Sequence, residues 1–139
     1  LIVGPDEESA QWVSDVAERA GAPWIALKKV RSGDRRVDVS TPHVDGYRDR
    51  TPVVVDDIIS SAETMTQTVR GLVHAGLKAP VCVGVHALFS AGAEEALRRA
   101  GASDVVTTTT VPHASSRIDV APLIAAAVRG LAGGAVAMA

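Results

Sequence analysis

Short apolar runs alternate with segments of helical periodicity along almost the whole chain. The apolar runs predict buried strands at residues 1–3, 23–27, 53–55 and 80–89, and residues 101–112 predict a strand followed by a threonine-rich turn. Apolar side chains recur at helical spacing in residues 12–20, 65–73, 93–100 and 118–127, and a frayed tail is expected from residue 130. This alternation predicts one α/β domain over residues 1–139, with a doubly wound, mostly parallel sheet flanked by helices.

The central unit of this pattern is residues 51–65, where a buried strand leads into a polar loop. Three valines at positions 53–55 are typical of a buried parallel strand. We expect the strand to end at Asp56, because two adjacent carboxylates do not share a dry environment. Small hydroxyl residues follow, and then a helix. Such turns lie at the carboxyl ends of strands, where ligands bind, and a helix N-terminus offers free N–H groups to a phosphate.

Glu63 is compatible with two structures of this loop. Its carboxylate would stand where phosphate charge is expected, which would spoil a phosphate site. Alternatively, the spacing from Ser60 to Glu63 is that of a capping box, in which Ser60 is the N-cap and Glu63 reaches back to the Ser60 N–H. The spacing favours the cap, and the sequence leaves both possibilities open.

Residues 28–36 are the most basic segment, with five cations in nine residues around Gly33. Residues 37–40 alternate like a strand leading back, which predicts a hairpin. A solvated hairpin tip is one explanation of the charge. The other is a loop that closes over a polyphosphate and neutralises charge developing during transfer.

Composition and charge narrow the classes of function. With 47% hydrophobic and 22% charged residues, the 139-residue chain is typical of one globular domain. Aromatic residues are 3% and the formal net charge is −2, which argues against nucleic acid as a partner. The sequence predicts no membrane span, and the lone Cys82 in an apolar run fits a reducing cytoplasm. Because the chain begins inside an apolar strand without Met, we expect further residues upstream.

Five segments, in chain order, resemble those of the ribose-phosphate pyrophosphokinases, a family with the type I phosphoribosyltransferase fold. Residues 56–64 are similar to the phosphoribosyl-binding motif, in which two acidic residues precede a Thr/Ser-Gly-Gly-Thr-like loop. The other four segments are Gly4-Pro5-Asp6, Lys29-Val30-Arg31, His86-Ala87-Leu88-Phe89-Ser90 and the threonine-rich turn at residues 107–110.

The resemblance implies a transferase, a ribose-phosphate diphosphokinase. Such an enzyme transfers the β,γ-diphosphoryl group of ATP to ribose 5-phosphate with Mg²⁺, giving AMP and phosphoribosyl pyrophosphate for nucleotide biosynthesis. It implies catalytic roles for Lys29 and Arg31 and a magnesium role for Asp6. The residues implied to bind ribose 5-phosphate are Asp56, Asp57, Ser60, Ser61, Ala62, Glu63 and Thr64.

The resemblance also implies that the chain is the C-terminal half of a longer, two-domain protein. The absent N-terminal half would supply most adenine contacts, so the isolated chain is expected to bind sugar phosphate and to lack turnover. A cytoplasmic homo-oligomer is expected.

Two departures from the family pattern keep other functions open. Glu8 and Ser9 stand where the family has two glycines, and Glu63 stands where it tends to have a small residue. A phosphoribosyltransferase of nucleotide synthesis shares the fold and the acidic loop, although the Lys-x-Arg segment favours the kinase. A catalytically silent regulatory paralogue would keep the fold and tolerate both departures.

Overall fold

The computed structural model describes residues 1–32, 36–40 and 44–136, and for residues 28–32, 36–40 and 132–136 it describes the backbone alone. The strands in these ranges are β1 (Ile2–Gly4), β2 (Trp24–Ala26), β3 (Lys28–Ser32), β4 (Arg36–Ser40), β5 (Val53–Ile59), β6 (Val81–Ala87), β7 (Asp104–Thr108) and β8 (Ser116–Ile118). The helices are α1 (Ala10–Ala20), α2 (Glu63–His74), α3 (Ala93–Ala100) and α4 (Ala121–Val136), with a 3₁₀ turn at Asp45–Tyr47.

Six of the strands form one parallel sheet in the order β2-β1-β5-β6-β7-β8. β2 lies on one side of β1 and β5 lies on the other, so the winding of the chain reverses between β1 and β5. The predicted α/β, doubly wound, parallel architecture is confirmed. A reversal of this kind opens a crevice beyond the carboxyl ends of the two strands, which is where such sheets bind ligands.

Buried apolar side chains cover both faces of the sheet, as a parallel sheet requires. On one face, Val13 and Ala17 of α1 pack against Ile2 and Val55. The larger cluster joins α2 and α3 to the opposite face, and its members include Val3, Val54, Ile59, Met65, Val69, Leu72, Cys82, Leu97 and Val105. Neighbouring strand residues alternate between the two clusters, which fixes the register of the strands.

β5 is longer than the sequence predicted. The strand was expected to end at Asp56, but it continues to Ile59 and pairs with β6 as far as Ile59 and Ala87. The pairing of β1 with β5 reaches only Val3 and Val54. Beyond that point one edge of β5 is open, so its two carboxylates extend the strand without entering a dry core.

The basic segment forms the predicted hairpin, since β3 and β4 pair antiparallel from Lys28 opposite Ser40 to Ser32 opposite Arg36. Lys29 and Arg31 therefore lie in β3. Their side chains are outside the described part of the structure, so their implied catalytic roles stay predictions.

α4 differs from the predicted helix at both ends. Ile118 belongs to β8, and the helix runs to Val136 instead of fraying near Gly130. Pro122 in the first turn and the alanine-rich sequence favour this long helix. Leu123 and Leu131 are 74% and 78% exposed, so α4 adds little to the described core. Within the described ranges, no helix combines the length and apolar content needed to span a membrane.

Replacing Gly84 of β6 by alanine tests the packing beneath the long end of β5. An added Cβ would lie 2.5 Å from Cδ1 and 2.6 Å from Cγ1 of the fully buried Ile59. We expect Gly84→Ala to lower the free energy of unfolding by about 1–3 kcal/mol, because Ile59 must leave its rotamer or shift the strand. Urea unfolding measures this loss. Gly46→Ala, whose Cβ meets no atom within 4 Å, is the control; equal stability of the two variants would contradict the packing.

Candidate functional site

The crevice between β1 and β5 is acidic. The turn after β1 and the end of β5 enclose a cavity of about 290 Å³, lined by Asp6, Glu8, Ser9, Trp12, Asp56 and Asp57. Asp6 comes from the turn and the aspartate pair comes from the strand, so the reversal of winding brings together residues that are 50 positions apart. Two of the predicted site segments are therefore neighbours.

Ser9 closes the turn that carries Asp6. Its N–H donates to Asp6 Oδ1 over 3.1 Å, and its hydroxyl donates to the Asp6 carbonyl over 2.6 Å. Ser9 is buried against Gly4, where an added Cβ would lie 2.2 Å from Ser9 Oγ. The serine that departs from the family pattern thus has a structural role, because it fixes the orientation of the Asp6 carboxylate.

Asp56 has the strongest electrostatic perturbation in the crevice. Burial raises the pKa of Asp56 from 3.8 to about 6, and the neighbouring negative charges of Asp57 and Asp6 add to the rise. Asp56 Oδ1 also accepts the Asp57 N–H at 3.0 Å, which opposes that rise. An acidic group in this environment favours any ligand that donates hydrogen bonds or brings positive charge.

The loop after β5 forms a second, smaller cavity of about 120 Å³. Its lining runs from the strand end to the first turn of α2 and consists of Asp56 and residues 58–65. Six of the seven predicted sugar-phosphate residues line it, and Asp57 lines the neighbouring acidic cavity instead. Asp56 lines both cavities, so the two lie side by side.

The predicted capping box is wrong. The N-cap of α2 is Ala62 and not Ser60, and no side chain caps this helix end. Ala62 has φ 58° and ψ 16°, a left-handed conformation that is uncommon for a residue other than glycine. This conformation turns the chain so abruptly that Glu63 is already the first helical residue. Its side chain is exposed and cannot satisfy a backbone N–H at Ser60 through the predicted geometry.

The first turn of α2 offers N–H groups to the loop cavity. The first regular helical bond runs from the Thr66 N–H to the Ala62 carbonyl, at 2.8 Å. The N–H groups of residues 63–65 precede it, and such groups have no partner within a helix. Together with the positive end of the helix dipole, they form the type of site that binds phosphate.

Ser90 supports the loop from the next strand connection. Its N–H donates to the Ser60 carbonyl at 3.1 Å. The next helix, α3, begins at Ala93 with Gly92 as its N-cap, so Ser90 lies before the helix. A contact across 30 residues has no local signal in the sequence.

A hydrogen-bonded group of side chains extends the same edge of the sheet across β6 and β7. His86 Nδ1 lies 2.9 Å from Thr110 Oγ1. The hydroxyls of Thr108 and Thr110 both donate to the Val85 carbonyl, at 2.7 and 2.8 Å. His86 is therefore a strand residue held by the threonine-rich turn, as its position in an apolar run suggested. The fourth and fifth matching segments meet each other here.

Trp12 is one of the lining residues that were not predicted to be functional. Helical spacing placed it on the buried face of α1, and it does pack against the apolar cluster there. Its side chain also lines the acidic cavity. The only available signal was topological, since α1 begins directly after the Asp6 turn.

The donor set of the crevice suits Mg²⁺ only in part. Carboxylate oxygens are the ligands that Mg²⁺ prefers, but it commonly takes one or two carboxylates and completes its shell with water and substrate phosphates. Among the described residues, no group of three or more His, Cys, Asp or Glu side chains is arranged to hold a metal. A Mg²⁺ ion in this crevice would therefore need water or a substrate to supply most of its oxygen ligands.

Comparison with known proteins now identifies the class. A family model described as the phosphoribosyl transferase domain matches residues 1–132, and the chain belongs to this family. Its relatives include ribose-phosphate pyrophosphokinases, which confirms the resemblance drawn from the five segments. That of Methanopyrus kandleri is 32% identical over 133 residues, which are 96% of this chain and 45% of the relative. Ribose-phosphate pyrophosphokinase 2 of Archaeoglobus fulgidus is 37% identical over 125 residues, 90% of this chain and 46% of the relative.

Solved structures agree with this assignment. The phosphoribosylpyrophosphate synthetase of Mycobacterium smegmatis superposes with a TM-score of 0.72 at 25% identity, over 96% of this chain and 45% of that chain. The orotate phosphoribosyltransferase of Aeropyrum pernix, with a TM-score of 0.55 at 20% identity over 78% of this chain and 60% of its own, shares the fold. The chain spans about half the length of the curated relatives it matches.

The raised pKa of Asp56 predicts how stability depends on pH. Between about pH 4 and pH 6 the folded state keeps a proton that the unfolded state has lost, so the free energy of unfolding falls as pH rises through this window. The shift corresponds to about 3 kcal/mol for a fully buried group, and solvent screening at this half-buried position reduces it to about 1 kcal/mol.

Asp56→Asn should therefore change the free energy of unfolding by about 1 kcal/mol more in the stabilising direction at pH 7.5 than at pH 4. Urea unfolding of both proteins at the two pH values measures the difference. Asp15→Asn, on the exposed side of α1, is the control. An Asp56→Asn effect that is the same at both pH values would contradict the proposed electrostatics.

Proposed function

We propose that this chain supplies the ribose 5-phosphate site and the catalytic loop of a ribose-phosphate diphosphokinase. The observation that carries the proposal is that Asp56 lines both cavities. It places an acidic crevice suited to sugar hydroxyls beside a helix N-terminus suited to a phosphate. A sugar with a phosphate at one end matches this arrangement, and the similarity to ribose-phosphate pyrophosphokinases supports the same ligand.

The sugar end of the ligand would lie against the aspartates of β5. Carboxylates accept hydrogen bonds from hydroxyls, and charge-assisted bonds of this kind are the stronger ones. With a pKa of about 6, Asp56 is mostly ionised at neutral pH and can act as an acceptor. Asp57 is exposed beside it and offers a second acceptor.

The phosphate end would lie in the loop cavity. Residues 63–65 form the first turn of α2 and have N–H groups without helical partners. The hydroxyl residues Ser60, Ser61 and Thr64 line the same cavity. Backbone and hydroxyl donors together can surround three phosphate oxygens without a cationic side chain. Ala62 takes part through its backbone, because its left-handed conformation exposes the first turn of the helix.

The transfer step needs groups that the sugar site does not contain. Diphosphoryl transfer requires in-line positioning and cations that offset the developing negative charge. We assign that role to Lys29 and Arg31 of the basic hairpin, and we assign Asp6, held in place by Ser9, to magnesium. Bound Mg²⁺ would neutralise and orient the diphosphate of ATP.

The complete reaction would draw on more than this chain. The relatives are about twice as long, so we assign the ATP contacts to a second, N-terminal domain. The same reasoning makes an isolated chain a sugar-phosphate binder without turnover. The family resemblance favours a cytoplasmic homo-oligomer that takes part in nucleotide biosynthesis.

A silent regulatory paralogue is the second candidate, and one observation favours it. Ala62 and Glu63 occupy the turn where the family motif has glycines, and Glu63 adds negative charge beside the phosphate cavity. Products distinguish the candidates once the chain is joined to its other half. The diphosphokinase forms AMP from ATP only when ribose 5-phosphate is present, a phosphoribosyltransferase releases diphosphate only with a nucleobase, and the paralogue forms neither product.

Calorimetric titration of ribose 5-phosphate into the chain tests the sugar-phosphate site itself. We expect saturable binding, at least tenfold weaker binding of unphosphorylated ribose, and a loss of about tenfold or more for Asp56→Ala, as for removing a charge-assisted hydrogen bond. Asp15→Ala should bind like the unchanged chain. Equal binding of ribose and ribose 5-phosphate, or an unaffected Asp56→Ala, would contradict the assignment.

A further inference from the structure

Glu63 holds a position that the sugar-phosphate assignment leaves unexplained. It is the first residue of α2, its side chain is exposed, and it lines the cavity assigned to the phosphate. The capping box that would have turned it away does not form. Because side chains on a helix tilt towards its N-terminus, the Glu63 carboxylate is on the same side of the helix end as a phosphate bound in this cavity.

The described side chains leave this charge without a neutralising partner. Their ion pairs join Arg48 to Asp45, Arg98 to Glu94, Arg99 to Glu95 and Arg117 to Asp104, and none of them includes Glu63. Instead, Glu63 interacts favourably with the positive end of the α2 dipole. A phosphate in the cavity would use the same positive end, so the two anions compete for it.

Because the cavity is small, the repulsion between the Glu63 carboxylate and a bound phosphate is strong at ordinary salt concentrations. At about 120 Å³ the cavity is smaller across than the Debye length of about 10 Å at 0.1 M salt. A carboxylate on its lining and a phosphate inside it therefore interact with little screening. At about 1 M salt the Debye length is about 3 Å, and most of the repulsion is lost.

We propose that Glu63 lowers the affinity of the loop for the phosphate dianion by electrostatic repulsion. This inference rests on the proposed sugar-phosphate function. The backbone N–H groups of α2 then attract the phosphate, and the Glu63 carboxylate on the first residue of the same helix weakens that attraction. The affinity for ribose 5-phosphate is then set by charge at residue 63 and not by the shape of the loop alone.

The test compares Glu63→Gln, Glu63→Gly and the unchanged chain in titrations with ribose 5-phosphate at 0.05 M and 1 M salt. Glu63→Gln keeps the size of the side chain and removes its charge. It should bind roughly three- to tenfold more tightly at low salt, and the gain should shrink towards onefold at high salt. Glu95→Gln makes the same change in the first turn of α3, away from the cavity, and should leave the affinity unchanged.

Three other outcomes would overturn the proposal. Equal affinities of Glu63→Gln and the unchanged chain would overturn the repulsion while leaving the sugar-phosphate site intact. A gain for Glu63→Gly without one for Glu63→Gln would show that the size of the side chain matters and would also overturn the proposal. If no variant binds ribose 5-phosphate, both this proposal and the sugar-phosphate function of the isolated chain fail. Thermal unfolding of each variant establishes that it is folded.

Discussion

The site depends on the point at which β1 and β5 stop pairing and separate. β1 pairs with β5 over only two residues, whereas β5 continues for five residues beyond that point along β6. The open edge of β5 keeps Asp57 exposed and Asp56 partly exposed within a regular strand. It also leaves room for the Asp6 turn to face them. Had the two strands ended together, Asp56 and Asp57 would lie in a loop without a fixed relation to the first turn of the domain.

Packing on the other side of β5 holds this extension in place. Ile59 is fully buried over Gly84, and its neighbour Ser60 is held by Ser90. The loop that follows then turns through Ala62 into α2. The buried Ile59 side chain thus fixes the position of the polar loop that lines the smaller cavity. The site is built from backbone donors and acidic side chains, and four of the described arginines form salt bridges elsewhere on the surface.

Features that depend on a single helix, strand or hairpin were predicted correctly from the sequence. The valine run of β5, the helical spacing of α2 and the alternation of the hairpin each reflect local burial, and each prediction is confirmed. The acidic pair and the loop were identified because they form a compact motif. The errors arose where distant contacts override local signals. β5 is extended by its pairing with β6, and the capping box is replaced by a left-handed Ala62. Trp12 and Ser90 reach the site only through the topology of the sheet.

Nuclear magnetic resonance is the most direct test of the central claim, that a phosphorylated sugar spans the acidic crevice and the start of α2. In a titration of the ¹⁵N-labelled chain with ribose 5-phosphate, the account predicts the largest amide shifts at Glu63, Thr64 and Met65, with a second group at Asp56 and Asp57. Ribose alone should move only the second group. Shifts that leave the first turn of α2 unmoved, or that concentrate on α4, would contradict the account.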